Sequence, residues 1–87
     1  MSTSMNISVR YFASIREAMG QGSETLQTSA TSVGVLREEL MARSAAAAAA
    51  LAHGKAVRMA LNQDMCQSDA LLKAGDEVAF FPPVTGG

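Results

Sequence analysis

Only one stretch of this sequence carries helical spacing. From Val33 to about Leu51, the apolar positions Leu36, Leu40, Ala47 and Leu51 recur at three to four residues or multiples of that, with Arg37, Glu38 and Glu39 between them. Ser32 is the expected N-cap. The run Ala45 to Ala50 extends the pattern at little bulk, since alanine has the best helix propensity and packs closely on a sheet. His53-Gly54 is expected to end the helix, glycine suiting a left-handed cap. One long helix in a chain of 87 residues needs a sheet to bury its apolar face against.

Short segments of period two supply that sheet. In Asn6 to Phe12, Ile7, Val9 and Tyr11 share one side. Ser14 is expected to cap a short helical turn through Met19, stopped by Gly20 and Gly22. Glu24 to Gln27 then forms a second strand, hairpin-like with the first. Val57, Met59 and Leu61 alternate with Arg58, Ala60 and Asn62 as a third, and Asn62-Gln63-Asp64 turns into a short Met65-Cys66 segment. Gly75-Asp76 leads into Glu77 to Phe81, which Pro82-Pro83 must end because proline offers no ladder donor. The expected class is α+β, a mixed sheet of four to five strands crossed by one long helix. Residues 1–4 are expected to be a disordered N-terminus, 5–81 the folded domain and 82–87 an extended C-terminal tail.

Composition removes several function classes. The formal net charge is −1 and the seven basic residues are scattered from Arg10 to Lys73, so no patch suits a phosphate backbone and no nucleic acid is expected. No segment approaches the ~20 apolar residues that span a bilayer, and the N-terminus has no secretory pattern; no membrane association and a cytoplasmic location are expected. A single cysteine, Cys66, and a single histidine, His53, build neither a disulfide framework nor a metal site within one chain. Cys66 has no neighbouring base or cation run to activate it and reads as a small packing residue. His53 reads as structural, and Asp76 and Glu77, pointing to opposite faces of a strand, as turn and surface groups. Yet 48% of the residues are hydrophobic, more than an isolated small domain needs, which points to a partner surface.

Strand parity says where that surface lies. With Ile7, Val9 and Tyr11 inward, Phe12 falls on the opposite face with Ser8 and Arg10; with Val78 and Phe80 inward, Phe81 faces outward. Phe12, Phe81 and Met65 are expected to form an exposed apolar patch, with Arg16 at its rim, and docking would gain roughly 1.5–3 kcal/mol for each aromatic buried.

The C-terminal octet Phe80-Phe81-Pro82-Pro83-Val84-Thr85-Gly86-Gly87 carries the chemistry. Its prolines favour an extended stalk with little conformational freedom to lose on docking. From Phe81 the tail reaches at most roughly 25 Å, enough to enter another protein's active site. Two glycines without Cβ atoms pass a narrow channel and leave the terminal carbon accessible. A carboxylate is a poor acyl donor, so adenylation by a partner must precede displacement of AMP by a sulfur nucleophile, leaving a thiocarboxylate.

These residues resemble a known family, the small subunits of molybdopterin synthase. The resemblance is carried by Val9 to Glu17, Leu36-Arg37, Ala60-Leu61-Asn62-Gln63 and, most strongly, Gly75 to Gly87. It implies a ubiquitin-like β-grasp fold. It also implies that Gly87 is adenylated by an activating enzyme resembling ubiquitin E1, which uses ATP, and is then thiocarboxylated. Pro82, Pro83, Val84, Thr85 and Gly86 would insert with it into a large catalytic subunit, two small subunits serving two large ones, to convert cyclic pyranopterin monophosphate to molybdopterin. The catalytic side chains would belong to that partner, and this chain would bind no cofactor. Sulfur carriage for thiamin or cysteine synthesis, which uses the same terminal chemistry, and protein modification stand as alternatives.

Overall fold

A computed structural model describes residues 4–52 and 56–82. The elements run β1 (Met5–Tyr11), α1 (Ala13–Met19), β2 (Ser23–Thr28), α2 (Val33–Met41), α3 (Ala45–Ala50), β3 (Arg58–Leu61), β4 (Asp64–Cys66) and β5 (Glu77–Phe81). The five strands form one sheet in the order β2-β1-β5-β3-β4. β1 and β5 are parallel; the β1–β2, β3–β5 and β3–β4 pairs are antiparallel.

Period-two patterning sets which face of this sheet is covered. Ile7, Val9 and Tyr11 on β1 and Val78 and Phe80 on β5 are buried, joined by Met59 from β3. The Tyr11 and Phe80 rings stack with centroids 6.4 Å apart. Ile15, Val33, Leu36, Leu40 and Leu51 cover this face from the helical side. Fully burying each such side chain contributes about 1.5–3 kcal/mol, so this layer carries most of the stability. The opposite face presents Ser8, Arg10, Thr25, Gln27, Arg58 and Met65, all exposed or half-buried.

The expected single long helix is two helices. Leu36, Leu40, Ala47 and Leu51 are all buried as their spacing requires, but the chain breaks between Met41 and Ala45. Ser44 adopts an extended backbone and its hydroxyl accepts from the Ala47 amide, so it starts α3 afresh, an N-cap placed directly before the alanines. α3 closes at Leu51; the expected stop at His53-Gly54 lies outside the described residues. Ser32 caps α2 as expected, accepting from Val35.

The start of α1 also differs. Phe12, not Ser14, is its N-cap and provides no side-chain bond. Instead the Phe12 carbonyl accepts from the Ile15 and Arg16 amides, and Ala13 takes a left-handed φ of 53° to turn the chain out of the sheet. Ser14 lies within the helix.

Candidate functional site

The last strand, third of five in the sheet, delivers the chain to one end of the sheet between β1 and β3, where Phe81 and Pro82 are half-buried. Pro82 is the last described residue of the expected tail; Pro83, Val84, Thr85, Gly86 and Gly87 lie outside the described residues.

Around the tail root the two outward aromatics meet. Phe12 is 42% exposed, and its ring meets that of Phe81 edge to face, centroids 6.3 Å apart and planes at 88°. The backbone fixes the pair, because the Phe12 amide donates to the Phe80 carbonyl at 3.2 Å and so continues the parallel β1–β5 ladder one residue past Tyr11. The Arg10 guanidinium lies 5.6 Å from the centroid of the Phe12 ring and 3.8 Å from Glu77. Across β3, Arg58 is paired with Phe81.

The neighbouring row of the same face runs Arg10, Ala79, Ala60, Met65 across four strands. Met65 is 58% exposed and shares the face with the phenylalanines, but two alanines stand between it and the Arg10 end of its row. Arg16 lies elsewhere: its side chain runs over Gly22, where a Cβ would come within 3.2 Å of Nε. It therefore packs on the α1–β2 connection.

On the helical side of Pro82 is an open cavity of about 330 Å³ lined by Ile15, Ala18, Ala49, Ala50 and Val57 together with Ser14 and Ala56. Its described lining holds no titratable side chain, so it offers no acid or base. Among the described residues no group of His, Cys, Asp and Glu could hold a metal ion. Cys66 pairs with Met59 and packs against the core. Burial pushes its thiol pKa up and the Asp69 charge adds to this, so the nucleophilic thiolate is disfavoured.

Asp76, expected as a turn and surface group, is structural, and so is Arg37. Asp76 is buried, accepting from the Lys73 amide at 2.8 Å and the Asn62 side-chain amide at 3.1 Å. The Asn62 side chain, with the Lys73 bonds, holds its carboxyl below the usual range. Asn62 in turn accepts from the Glu77 amide, so the β3–β4 turn is clamped to the start of β5. Arg37 is buried between α2 and α3, where Nε donates to the Leu51 carbonyl at 2.7 Å and Nη2 to that of Ala52 at 2.9 Å. Leu51, Ala52 and Asn62 lie more than a dozen positions from the residues they bond, and no local pattern signals those bonds.

Comparison with known proteins gives a consistent result. The model of the ThiS family matches residues 9–87. The molybdopterin synthase sulfur carrier subunit of Escherichia coli K12 is 43% identical over 81 residues, covering 93% of this chain and 99% of the relative. That of Chlamydomonas reinhardtii is 41% identical over 86 residues, covering 95% and 100%. Among solved structures, subunit 1 of a putative molybdopterin converting factor from Pyrococcus furiosus superposes with a TM-score of 0.76 at 28% identity, over 92% of this chain and 99% of that one. A complex of subunits 1 and 2 of the molybdopterin-converting factor from Helicobacter pylori matches with a TM-score of 0.62 at 29% identity, over 95% and 100%.

Proposed function

The chain belongs to the ThiS family, and from that membership we propose that it is the sulfur carrier subunit of a molybdopterin synthase. The observation that carries this reading is the extent of the match: the family model runs through to Gly87, and a relative of that name is 43% identical over 81 residues. The β-grasp sheet supports it, because its central strand β5 ends at Phe81, where the octet's prolines begin.

In this reading Gly87 is the working residue. Its carboxylate attacks the α-phosphorus of ATP on an E1-like activating enzyme, releasing pyrophosphate and leaving an acyl adenylate. A sulfur nucleophile then displaces AMP from the carbonyl carbon. The resulting thiocarboxylate sulfur is a nucleophile, presented through Pro82 to Gly86 to cyclic pyranopterin monophosphate in the large subunit. The domain supplies no acid or base to these steps; it holds the tail and binds the partner.

Phe12 and Phe81 are the docking contacts of the reading, with Met65 on the same face. Because covered aromatics at an interface centre dominate affinity, the edge-to-face pair is the anchor expected to matter most. Arg16, lying over Gly22, is a rim contact at most. An assembly of two small and two large subunits in the cytoplasm completes the proposal.

The experiment is reconstitution with the large subunit. The thiocarboxylated chain should bind it and drive conversion of the pterin precursor, while the chain lacking Gly87 should bind without supporting conversion. Sulfur transfer to a thiamin or cysteine precursor, with no complex formed with the large subunit, would favour the alternative pathways.

A further inference from the structure

The aromatic pair is flanked by two arginines for which the tail chemistry has no use. Arg58 lies directly across the β3–β5 ladder from Phe81, at the Cβ separation of about 5 Å usual for opposed residues. It is exposed, and among the described residues its side chain makes no ion pair or hydrogen bond. Arg10 sits on the other flank, over the Phe12 ring and at the outer limit of an ion pair with Glu77, its side chain half exposed. Counting the described open face, Arg10 and Arg58 stand against Glu77 alone, a charge of about +1 concentrated around the only two outward phenylalanines.

A protein that covers Phe81 must also come close to Arg58. Bringing an apolar surface over an unpaired guanidinium costs desolvation unless a counter-charge arrives with it. Arg10 has donors left over, because Glu77 reaches only one of its nitrogens and does so at 3.8 Å. Among the described residues Arg58 thus has no carboxylate partner and Arg10 only a long one, and both stand beside the aromatic pair that a partner would cover.

We infer that the partner face received here is an apolar centre rimmed by carboxylates, placed so that acidic side chains meet Arg10 and Arg58 while the centre covers Phe12 and Phe81. This deepens the proposed function and rests on it: the occupant is the large subunit, since the protein that takes in the tail must close around its root at Phe81 and Pro82. Such a rim sets association rate and partner choice more than bulk affinity. A surface carrying lysine or arginine at those positions is rejected by like-charge repulsion, so the two arginines select a cognate large subunit among related ones.

The test measures association and dissociation rates of the full-length chain with its large subunit at low and high ionic strength. The variants are Arg10→Glu, Arg58→Glu, the double reversal, and Arg58→Gln as a milder change. The exposure of Arg58 makes folding of these variants simple to check by thermal unfolding. The double reversal should slow association on the order of tenfold or more at low salt. The gap should narrow as the Debye length falls from about 30 Å at 0.01 M to about 3 Å at 1 M. Arg58→Gln should fall between wild type and Arg58→Glu, and reversing an opposing carboxylate on the large subunit to lysine should restore the rate to Arg58→Glu. Unchanged or faster association after double reversal overturns the inference, as does an effect confined to the activating enzyme. A wild-type chain that fails to bind the large subunit at all overturns the underlying reading as well.

Discussion

Phe12 and Phe81 meet edge to face on the open side of the sheet, 6.3 Å between centroids, at the point where the chain leaves β5 for its tail. The pair is partly self-covering, so docking gains less from Phe12 than full burial of a free aromatic would give. Phe12→Ala should weaken binding of the large subunit by about 1–2 kcal/mol, from the ring area still exposed plus the aromatic contact. The loss should appear mainly as faster dissociation, and titration calorimetry with surface-immobilised kinetics checks it. Sulfur loading of Gly87 at saturating activating enzyme should be unchanged.

A second prediction concerns alkaline stability. The Tyr11 hydroxyl donates to Glu24 at 2.6 Å, and Arg43 pairs with the same carboxylate at 3.1 Å. Burial raises the Tyr11 pKa first, and the Glu24 hydrogen bond and charge raise it further, against a smaller lowering by Arg43. The folded state thus keeps a proton that the unfolded chain loses above its ordinary tyrosine value of about 10. Tyr11 contributes its full stabilisation below that pH, and the contribution falls as pH rises beyond it. Urea unfolding at stepped pH should show this decline in wild type and lose it in Tyr11→Phe, which should itself cost about 0.5–1.5 kcal/mol at neutral pH for the lost hydrogen bond.

Arg37 tests how the two helices are joined. Its guanidinium satisfies the carbonyls that close α3, and Arg37→Met keeps the stem while leaving those acceptors without the donor. A loss of about 1–3 kcal/mol is expected in chemical denaturation. Hydrogen exchange should quicken first in the α3 amides, because the junction depends on these bonds more than on local propensity.

These sites differ in how far they could be read beforehand. The outward placement of Phe12 and Phe81 follows from a side-chain period of two, which needs only the burial of Val9 or Val78 to fix every neighbour. The join between α2 and α3 was hidden because Leu36, Leu40, Ala47 and Leu51 keep helical spacing across it; only Ser44, a capping residue before six alanines, marked the break. The burial of Arg37 and Asp76 was not legible for a different reason. Their partners come from other elements, Leu51 and Ala52 in one case and Asn62 in the other, and only the tertiary fold brings those groups together. The position of the Arg16 side chain over Gly22 was likewise not legible, because it depends on how α1 leads into β2.

The central claim, that Gly87 carries sulfur, is tested most directly by the intact mass of the chain after incubation with ATP, the activating enzyme and a sulfide source. The mass should rise by the replacement of one oxygen by one sulfur, localised to the C-terminal peptide, dependent on ATP and absent from a chain lacking Gly87. No mass change under these conditions, or a sulfur gain that persists without Gly87 and maps to Cys66, would contradict it.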